Sequence, residues 1–426
     1  MTHKPETLLR QMFDSAVNVA SPKLSVGQHL PDRPNGRTII VGAGKAAAAM
    51  AQAVETEWRE LGEAGELGGL VITRYGHRLE TRWVEVVEAA HPVPDGAGVA
   101  AAARILELVS NLGPEDLVLC LLSGGGSALL TLPIDGVSLD EKRAVTQDLL
   151  NCGATISEIN TIRKHLSAIK GGRLAAAAFP AQTVTLAISD VPGDDPAIIA
   201  SGPTTPDPSM LADANYVIEK YAIQLPTAAK AVLASGANET PKAGDPLLER
   251  ASVRIIVTPQ EALEAAAKVA REAGVTPIIL SDSIEGESRD VAQVHAAIAR
   301  QIAERGQPWV APCVLLSGGE TTVTINGNGS GGPNSEFLLS LMLCLNGASK
   351  IYALACDTDG IDGSEENAGA IIGPDTLAKS LARDMEPAKF LANNDAYTFF
   401  SAVDGLIITG PTHTNVNDFR AVFITK

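Results

Sequence analysis

A chain of 426 residues, 45% hydrophobic and 19% charged, exceeds one ordinary hydrophobic core, so two globular domains are expected. Its formal net charge of −17 argues against nucleic acid or an anionic membrane as a partner. The five cysteines show no C-x-x-C spacing and read as core residues of a reducing compartment; with a polar N-terminus and no apolar run approaching the roughly 18–20 residues that span a bilayer, a cytoplasmic protein is expected.

From Glu6 to Val19, Leu8, Leu9, Met12, Phe13, Ala16 and Val17 form a helical stripe. Thr38 to Val41 is a β-branched strand running through Gly42-Ala43-Gly44-Lys45 into the alanine-rich helix Ala46 to Val54, the first half of a βαβ unit. Leu70 to Thr73 and Trp83 to Glu88 read as strands. His91-Pro92-Val93-Pro94-Asp95 must be a loop, because two prolines exclude helix and central strand. After the helix Gly98 to Ser110, the buried strand Leu117 to Leu122 enters Ser123-Gly124-Gly125-Gly126-Ser127. Helices Leu139 to Cys152 and Ser157 to Lys170 follow, then the strand Thr183 to Ser189, which stops at Asp190. Val191 to Pro208 is a loop, and the Pro and Gly content of Leu211 to Pro246 marks an inter-domain stretch.

In the second half, strands are predicted at Arg254 to Val257, Thr276 to Leu280, Cys313 to Leu316, Thr321 to Ile325 and Ile351 to Cys356, with helices at Glu261 to Glu272, Asp290 to Arg305 and Glu336 to Leu345. This alternation predicts an α/β chain of two domains, residues 1–245 and 246–426, built on mostly parallel sheets covered by helices. Ligands of such sheets sit at the carboxyl ends of strands, where this chain places its Gly, Ser, Asp and Lys residues.

The chemistry-bearing words lie at those ends. Ser123 to Ser127 lacks Cβ atoms at three successive positions, so backbone N–H groups and two hydroxyls can crowd an anion; Ser317-Gly318-Gly319 repeats the pattern after a second apolar strand. Two such loops suggest two α/β halves facing one anionic ligand. Lys45, beside Gly44 at a helix start, is placed for a phosphate in transfer. Gly42-x-Gly44-x-x-Ala47 also fits a dinucleotide loop, which keeps an NADP-linked dehydrogenase open. Arg163, Lys170 and Arg173 lie near one helical face if the helix persists through Gly171 and Gly172. Asp190, and Asp357 with Asp359, sit just past strand ends, as carboxylates that hold Mg²⁺ or accept a hydroxyl proton do. No G-x-x-x-x-G-K-[ST] and no G-x-S-x-G occurs, so neither a P-loop nor a nucleophile elbow is present.

Taken together, Val41-Gly-Ala-Gly-Lys-Ala46, His91-Pro-Val-Pro-Asp95, Leu122-Ser-Gly-Gly-Gly-Ser127, Asn160-Thr-Ile-Arg-Lys-His-Leu-Ser167 and Ser189-Asp-Val-Pro-Gly-Asp194 resemble the glycerate 2-kinases with a C-terminal MOFRL domain, as do Leu316-Ser-Gly-Gly-Glu-Thr-Thr322, Asp357-Thr-Asp-Gly-Ile-Asp-Gly363 and Thr414-Asn-Val-Asn-Asp418. The resemblance implies two Rossmann-like domains around an active-site cleft, and ATP- and Mg²⁺-dependent phosphorylation of D-glycerate at its 2-hydroxyl. It places the family's catalytic lysine at Lys45, and the Gly-Gly-Arg-Asn word of the family reads Gly331-Gly-Pro333-Asn334 here, without the arginine. The site expected from residues and resemblance together has Lys45 and Asp190 as catalytic groups and Asp190, Asp357 and Asp359 around the metal. Gly44, Ser123, Gly124, Gly125, Gly126, Ser127, Arg163, Lys170, Ser317, Gly318, Gly319, Glu320 and Asn334 bind substrate or phosphate. The partners are a small hydroxy acid and ATP, with a homodimer left open. The alternatives are an NADP-dependent hydroxypyruvate reductase, a kinase for another hydroxy acid, and a sensor that binds without turnover.

Overall fold

The computed structural model describes residues 4–236 and 238–426. It divides into two compact units: Pro22–Ser189 with Asp194–Ile256, and the N-terminal stretch through Ser21 with Asp190–Gly193 and Val257–Lys426.

The first unit holds strands β1 (Thr38–Ala43), β2 (Leu67–Arg74), β3 (Val84–Ala89), β4 (Leu117–Leu122), β5 (Gln182–Ile188) and β6 (Ala251–Val257). Their order is β3-β2-β1-β4-β5-β6, with β1 paired in parallel to both β2 and β4. All six residues of β4 are buried, as a strand covered on both faces requires, which is why its sequence reads as an unbroken apolar run. The chain builds outward from β1 in one direction through β2 and β3, then returns to place β4 on the other side. The order therefore reverses at β1 and β4, and the crevice outside the carboxyl ends of these two central strands is where ligands of such sheets bind.

The second unit holds β7 (Thr276–Ser281), β8 (Gly286–Glu287), β9 (Cys313–Ser317), β10 (Thr321–Thr322), β11 (Ile351–Asp357), β12 (Gly369–Ile372), β13 (Leu406–Ile407) and β14 (Asp418–Ile424). The main sheet runs β13-β12-β11-β14-β9-β7. Here the expectation of a mostly parallel sheet needs correcting. Among the described residues of this main sheet only β7 and β9 pair in parallel; β14 lies antiparallel between β9 and β11, and β12 and β13 continue antiparallel. The reason is β14, which carries Asp418 and Arg420 inside an otherwise apolar strand and so lacks a clear strand pattern. Both are buried, and they satisfy one another: Arg420 donates to the Asp418 carboxylate, to Gly318 O at 3.1 Å and to Thr321 Oγ1 at 3.0 Å.

Two further boundaries differ from the sequence reading. The helix Pro5–Val19 packs in the second unit, on the helix Pro259–Glu272, with Phe13 against Phe419 (ring centroids 5.8 Å apart). The stretch Leu211 to Pro246 is no linker. Its helices Leu211–Lys220 and Thr227–Ala234 bury Leu211, Val217 and Leu233 with Val145, Leu149 and Ile162 in a small helical core of the first unit.

Gly42 lies within β1 where the neighbouring backbone leaves no room for a side chain: a Cβ there would stand 1.9 Å from Leu121 O. Gly42→Ala is expected to destabilise the protein by about 2 kcal/mol or more in urea unfolding, whereas Gly96→Ala, where a Cβ meets nothing within 4 Å, leaves the midpoint nearly unchanged. Equal midpoints for the two variants would contradict this packing.

Candidate active site

The exits of β1 and β4 are bonded backbone to backbone. Ser123 N donates to Ala43 O (3.2 Å), Lys45 N to Gly124 O (2.9 Å), and Ala46 N to Ser123 Oγ (3.0 Å). Gly44 permits the approach, since a Cβ there would lie 2.0 Å from Ser123 Oγ. Its own N–H donates to Ile72 O, so its expected part in phosphate binding is corrected to one in packing. These bonds also occupy the N–H groups at the entry to the helix Ala47–Glu57, the groups a dinucleotide pyrophosphate would need.

Gly125, at φ 80, faces His91 and Lys45: a Cβ there would stand 3.0 Å from His91 Cδ2 and 3.5 Å from Lys45 Cγ. The cation of the first turn, the imidazole of the Pro-Val-Pro loop and the glycine loop thus converge on the crevice between β1 and β4. Lys170 braces the far side of the glycine loop, its ammonium donating to Ser127 O (2.9 Å) and Ala200 O (3.3 Å). Burial, and then the charges of Lys142, Arg163 and Lys164, hold its pKa well below the ordinary lysine value. Ser127 Oγ and Ser201 Oγ lie 2.9 Å apart, and Ser201 Oγ donates to Asn160 Oδ1 (3.2 Å). Ala200, Ser201 and Gly202 hold successive φ angles of 51, 61 and 59, a left-handed run that two of the three adopt at a steric cost and that presents Ala200 O to Lys170.

Beside this loop opens a cavity of about 620 Å³, lined by His91, Gly125, Ser127, Lys142, Arg163 and Lys170 among others. It is cationic although the chain is acidic, and among the described residues no carboxylate lines it. Arg163 reaches it from the helix Ile156–His165, which Lys164 anchors through a buried ion pair with Asp207 (3.2 Å). Lys142 escaped the sequence reading because it stands among charged neighbours in Leu139–Asn151. The signal was the helical period: Lys142, Val145 and Leu149 share the buried face. Its ammonium has no hydrogen-bond partner, and burial, with the charge of Arg163, lowers its pKa to about 7.

Arg173 is not part of this group. The helix ends at His165 rather than Lys170, and Gly171 and Gly172 turn the chain at φ 58 and 83, so that Arg173 opens a new helix and donates to Asn238 O (2.8 Å).

The remaining expected site residues lie in the second unit, and their environments are those of packing. Ser317 Oγ is buried 3.1 Å from His295 Nε2, Gly318 N donates to Ser281 O (2.9 Å), and a Cβ on Gly319 would strike Ile284 N at 2.2 Å. Ser281 and Ile284 therefore lie against the second glycine loop. Of this loop Glu320 is exposed. Asn334 is buried and donates to Asp418 Oδ1 (2.6 Å), while Asn334 N and Ser335 N donate to Asp362, which caps the helix Pro333–Leu345. Pro333 occupies the first helical position, where a missing N–H costs nothing. Asp357 Oδ1 accepts from Asp359 N and Asp359 Oδ1 from Ile361 N (2.9 and 2.8 Å), which is Asx-turn chemistry, and Asp359 is fully buried. Asp190 receives Asn417 Nδ2 on its carbonyl (2.6 Å) and Asn415 Nδ2 on its carboxylate (3.4 Å). Among the described residues no three His, Cys, Asp or Glu side chains come together as a metal site.

Burial pushes the Asp362 carboxyl up to about 6, partly offset by hydrogen bonds from Ser335 and Asn334. Its folded pKa exceeds its unfolded value of 3.8, so the native state holds the extra proton between the two. The stability Asp362 contributes is present below that window and lost as pH rises through it. The stability of the wild type relative to Asp362→Asn is expected to decline between about pH 4 and 6 in urea titrations; a difference flat with pH would contradict the assignment.

Comparison with known proteins places these features in context. Residues 8–234 match a family described as a domain of unknown function (DUF4147), and residues 313–418 match the MOFRL family. An Agrobacterium vitis protein that carries the provisional name hydroxypyruvate reductase is 54% identical over 98% of this chain and 94% of its own. The D-glycerate 2-kinase of Thermotoga maritima is 40% identical over 97% of this chain and 98% of its own. The crystal structure of a glycerate kinase from Thermotoga maritima superposes with a TM-score of 0.87 at 39% identity, covering 99% of this chain and 100% of that one.

Proposed function

We propose, since the chain belongs to the glycerate 2-kinase family, that it transfers the γ-phosphoryl group of ATP to the 2-hydroxyl of D-glycerate, giving 2-phosphoglycerate and ADP. The observation that supports this best is the convergence of Lys45, His91 and the Ser123–Ser127 loop on the crevice between β1 and β4, beside a cavity lined by cations. Phosphoryl transfer asks a protein for positioning and for neutralisation of charge spread over the moving group, and this is what such a site supplies.

In this reading Lys45 neutralises the transferring phosphoryl group, the Ser123–Ser127 loop with Arg163 holds oxyanions, and Lys170 fixes the loop through Ser127 O. Magnesium enters as MgATP, held by the phosphates and at most one or two carboxylates, as is usual for a nucleotide-bound ion.

The reductase reading draws on the name carried by the Agrobacterium vitis relative. Against it stand the N–H groups of Lys45 and Ala46, already given to Gly124 O and Ser123 Oγ. Run side by side, MgATP with D-glycerate is expected to release ADP, and NADPH with hydroxypyruvate to remain unoxidised. NADPH oxidation without ADP release would overturn the kinase reading. Lys45→Ala is expected to lower kcat by about 10²–10³-fold, the scale of losing one group that stabilises transition-state charge, with the circular dichroism spectrum unchanged; full activity in that variant would remove the role given to Lys45.

A further inference from the structure

The cavity of the first unit is larger and differently built than a three-carbon acid requires. At about 620 Å³ it falls in the range, about 300–1,000 Å³, that encloses ligands of drug size. Its lining divides by exposure: the apolar Pro92, Val93 and Leu150 are exposed and form a rim, while Lys142 and Lys170 are buried and Arg163 half-buried. Lys164, next in sequence to Arg163, is neutralised by Asp207. Lys142 is not: it is 6% exposed and its ammonium lacks any hydrogen-bond partner. A buried, unpaired ammonium beside a guanidinium costs stability, and such a cost is kept where a ligand removes it.

We propose that Lys142 is a ligand-binding residue, and that with Arg163 and Lys170 it holds the phosphate chain of the nucleoside triphosphate while the rim of Pro92, Val93 and Leu150 receives the base. The inference rests on the kinase reading only for the identity of the nucleotide. Its physical basis is the match between several clustered cations without a counter-charge and a ligand with several negative charges at one end and a flat apolar body at the other. A monocarboxylate could neutralise only one of the three cations.

The test is binding of a non-hydrolysable ATP analogue with Mg²⁺, measured by calorimetry on the full-length protein, beside stabilisation by D-glycerate in thermal unfolding. Lys142→Met is expected to weaken the analogue at least about tenfold, as loss of a charge-assisted contact does, to leave the response to D-glycerate within about twofold, and to melt no lower than the wild type, since it removes an unpaired buried charge. A lost response to D-glycerate with the analogue unaffected would make this the acid subsite and overturn the proposal, as would no change in either. Because the titratable and charged groups that line the cavity with Lys142 are His91, Arg143, Arg163 and Lys170, a second variant separates charge from shape. Lys142→Arg keeps its charge at all working pH values. The wild type alone is expected to lose affinity as pH rises through about 7, where the free Lys142 gives up its proton. Parallel pH profiles would overturn the proposal. Analogue binding needs no turnover, so a protein that binds nucleotide at Lys142 yet leaves D-glycerate unphosphorylated would sink the kinase reading and not this one.

Discussion

The site depends on a contact between two backbones. β1 and β4 end side by side, and the missing Cβ atoms of Gly42 and Gly44 let the turn after β1 lie directly on the turn after β4. Three hydrogen bonds, from Ser123 N, Lys45 N and Ala46 N, then fix the two turns as one object. Because the helix Ala47–Glu57 starts from that object, Lys45 projects from a backbone fixed by hydrogen bonds rather than from a free loop, which is what the role proposed for it requires. Glycine is used here for proximity between strands, and only at Gly125 for proximity to the functional side chains.

Around this frame the protein sets positive charge against its own net charge. Lys142, Arg163 and Lys170 are each buried enough that desolvation is the leading cause of their lowered pKa values. Lys170 offsets part of that cost through two carbonyls, whereas Lys142 has no such bond. The helices that carry these cations are held by an apolar core of their own, with Val145, Leu149 and Ile162 packed on Leu211, Val217 and Leu233. The structural elements that the sequence presents as a linker are therefore the support for the charged wall of the cavity.

Much of the first unit is legible in the sequence, because buried parallel strands leave unbroken apolar runs and their ends concentrate Gly, Ser and Lys. Lys45 and the Ser123–Ser127 loop are located this way at the ends of β1 and β4, whereas Arg163 and Lys170 stand out as part of the densest basic cluster of an acidic chain. What is not legible depends on long-range placement. Ser317-Gly318-Gly319 has the same letters as the first loop, yet Ile284 and Ser281, more than 30 residues earlier, cover it. Arg173 has helical spacing from Lys170, but two glycines at positive φ end the phase between them. Lys142 looks like a surface charge unless the buried period of its helix is followed, and β14 is hidden by the buried Asp418 and Arg420 pair. In each case a polar residue is satisfied, or left unsatisfied, by a partner that no local pattern encodes.

The account stands most directly on which bond is made. Incubating the protein with MgATP and D-glycerate and following the products by ³¹P nuclear magnetic resonance, with coupling to the protons of the acid, identifies the oxygen that receives the phosphoryl group. The account predicts a phosphorus resonance coupled to the single proton on carbon 2, growing as the γ-phosphate of ATP declines. Coupling to the two protons on carbon 3, or loss of γ-phosphate only to inorganic phosphate, would contradict it.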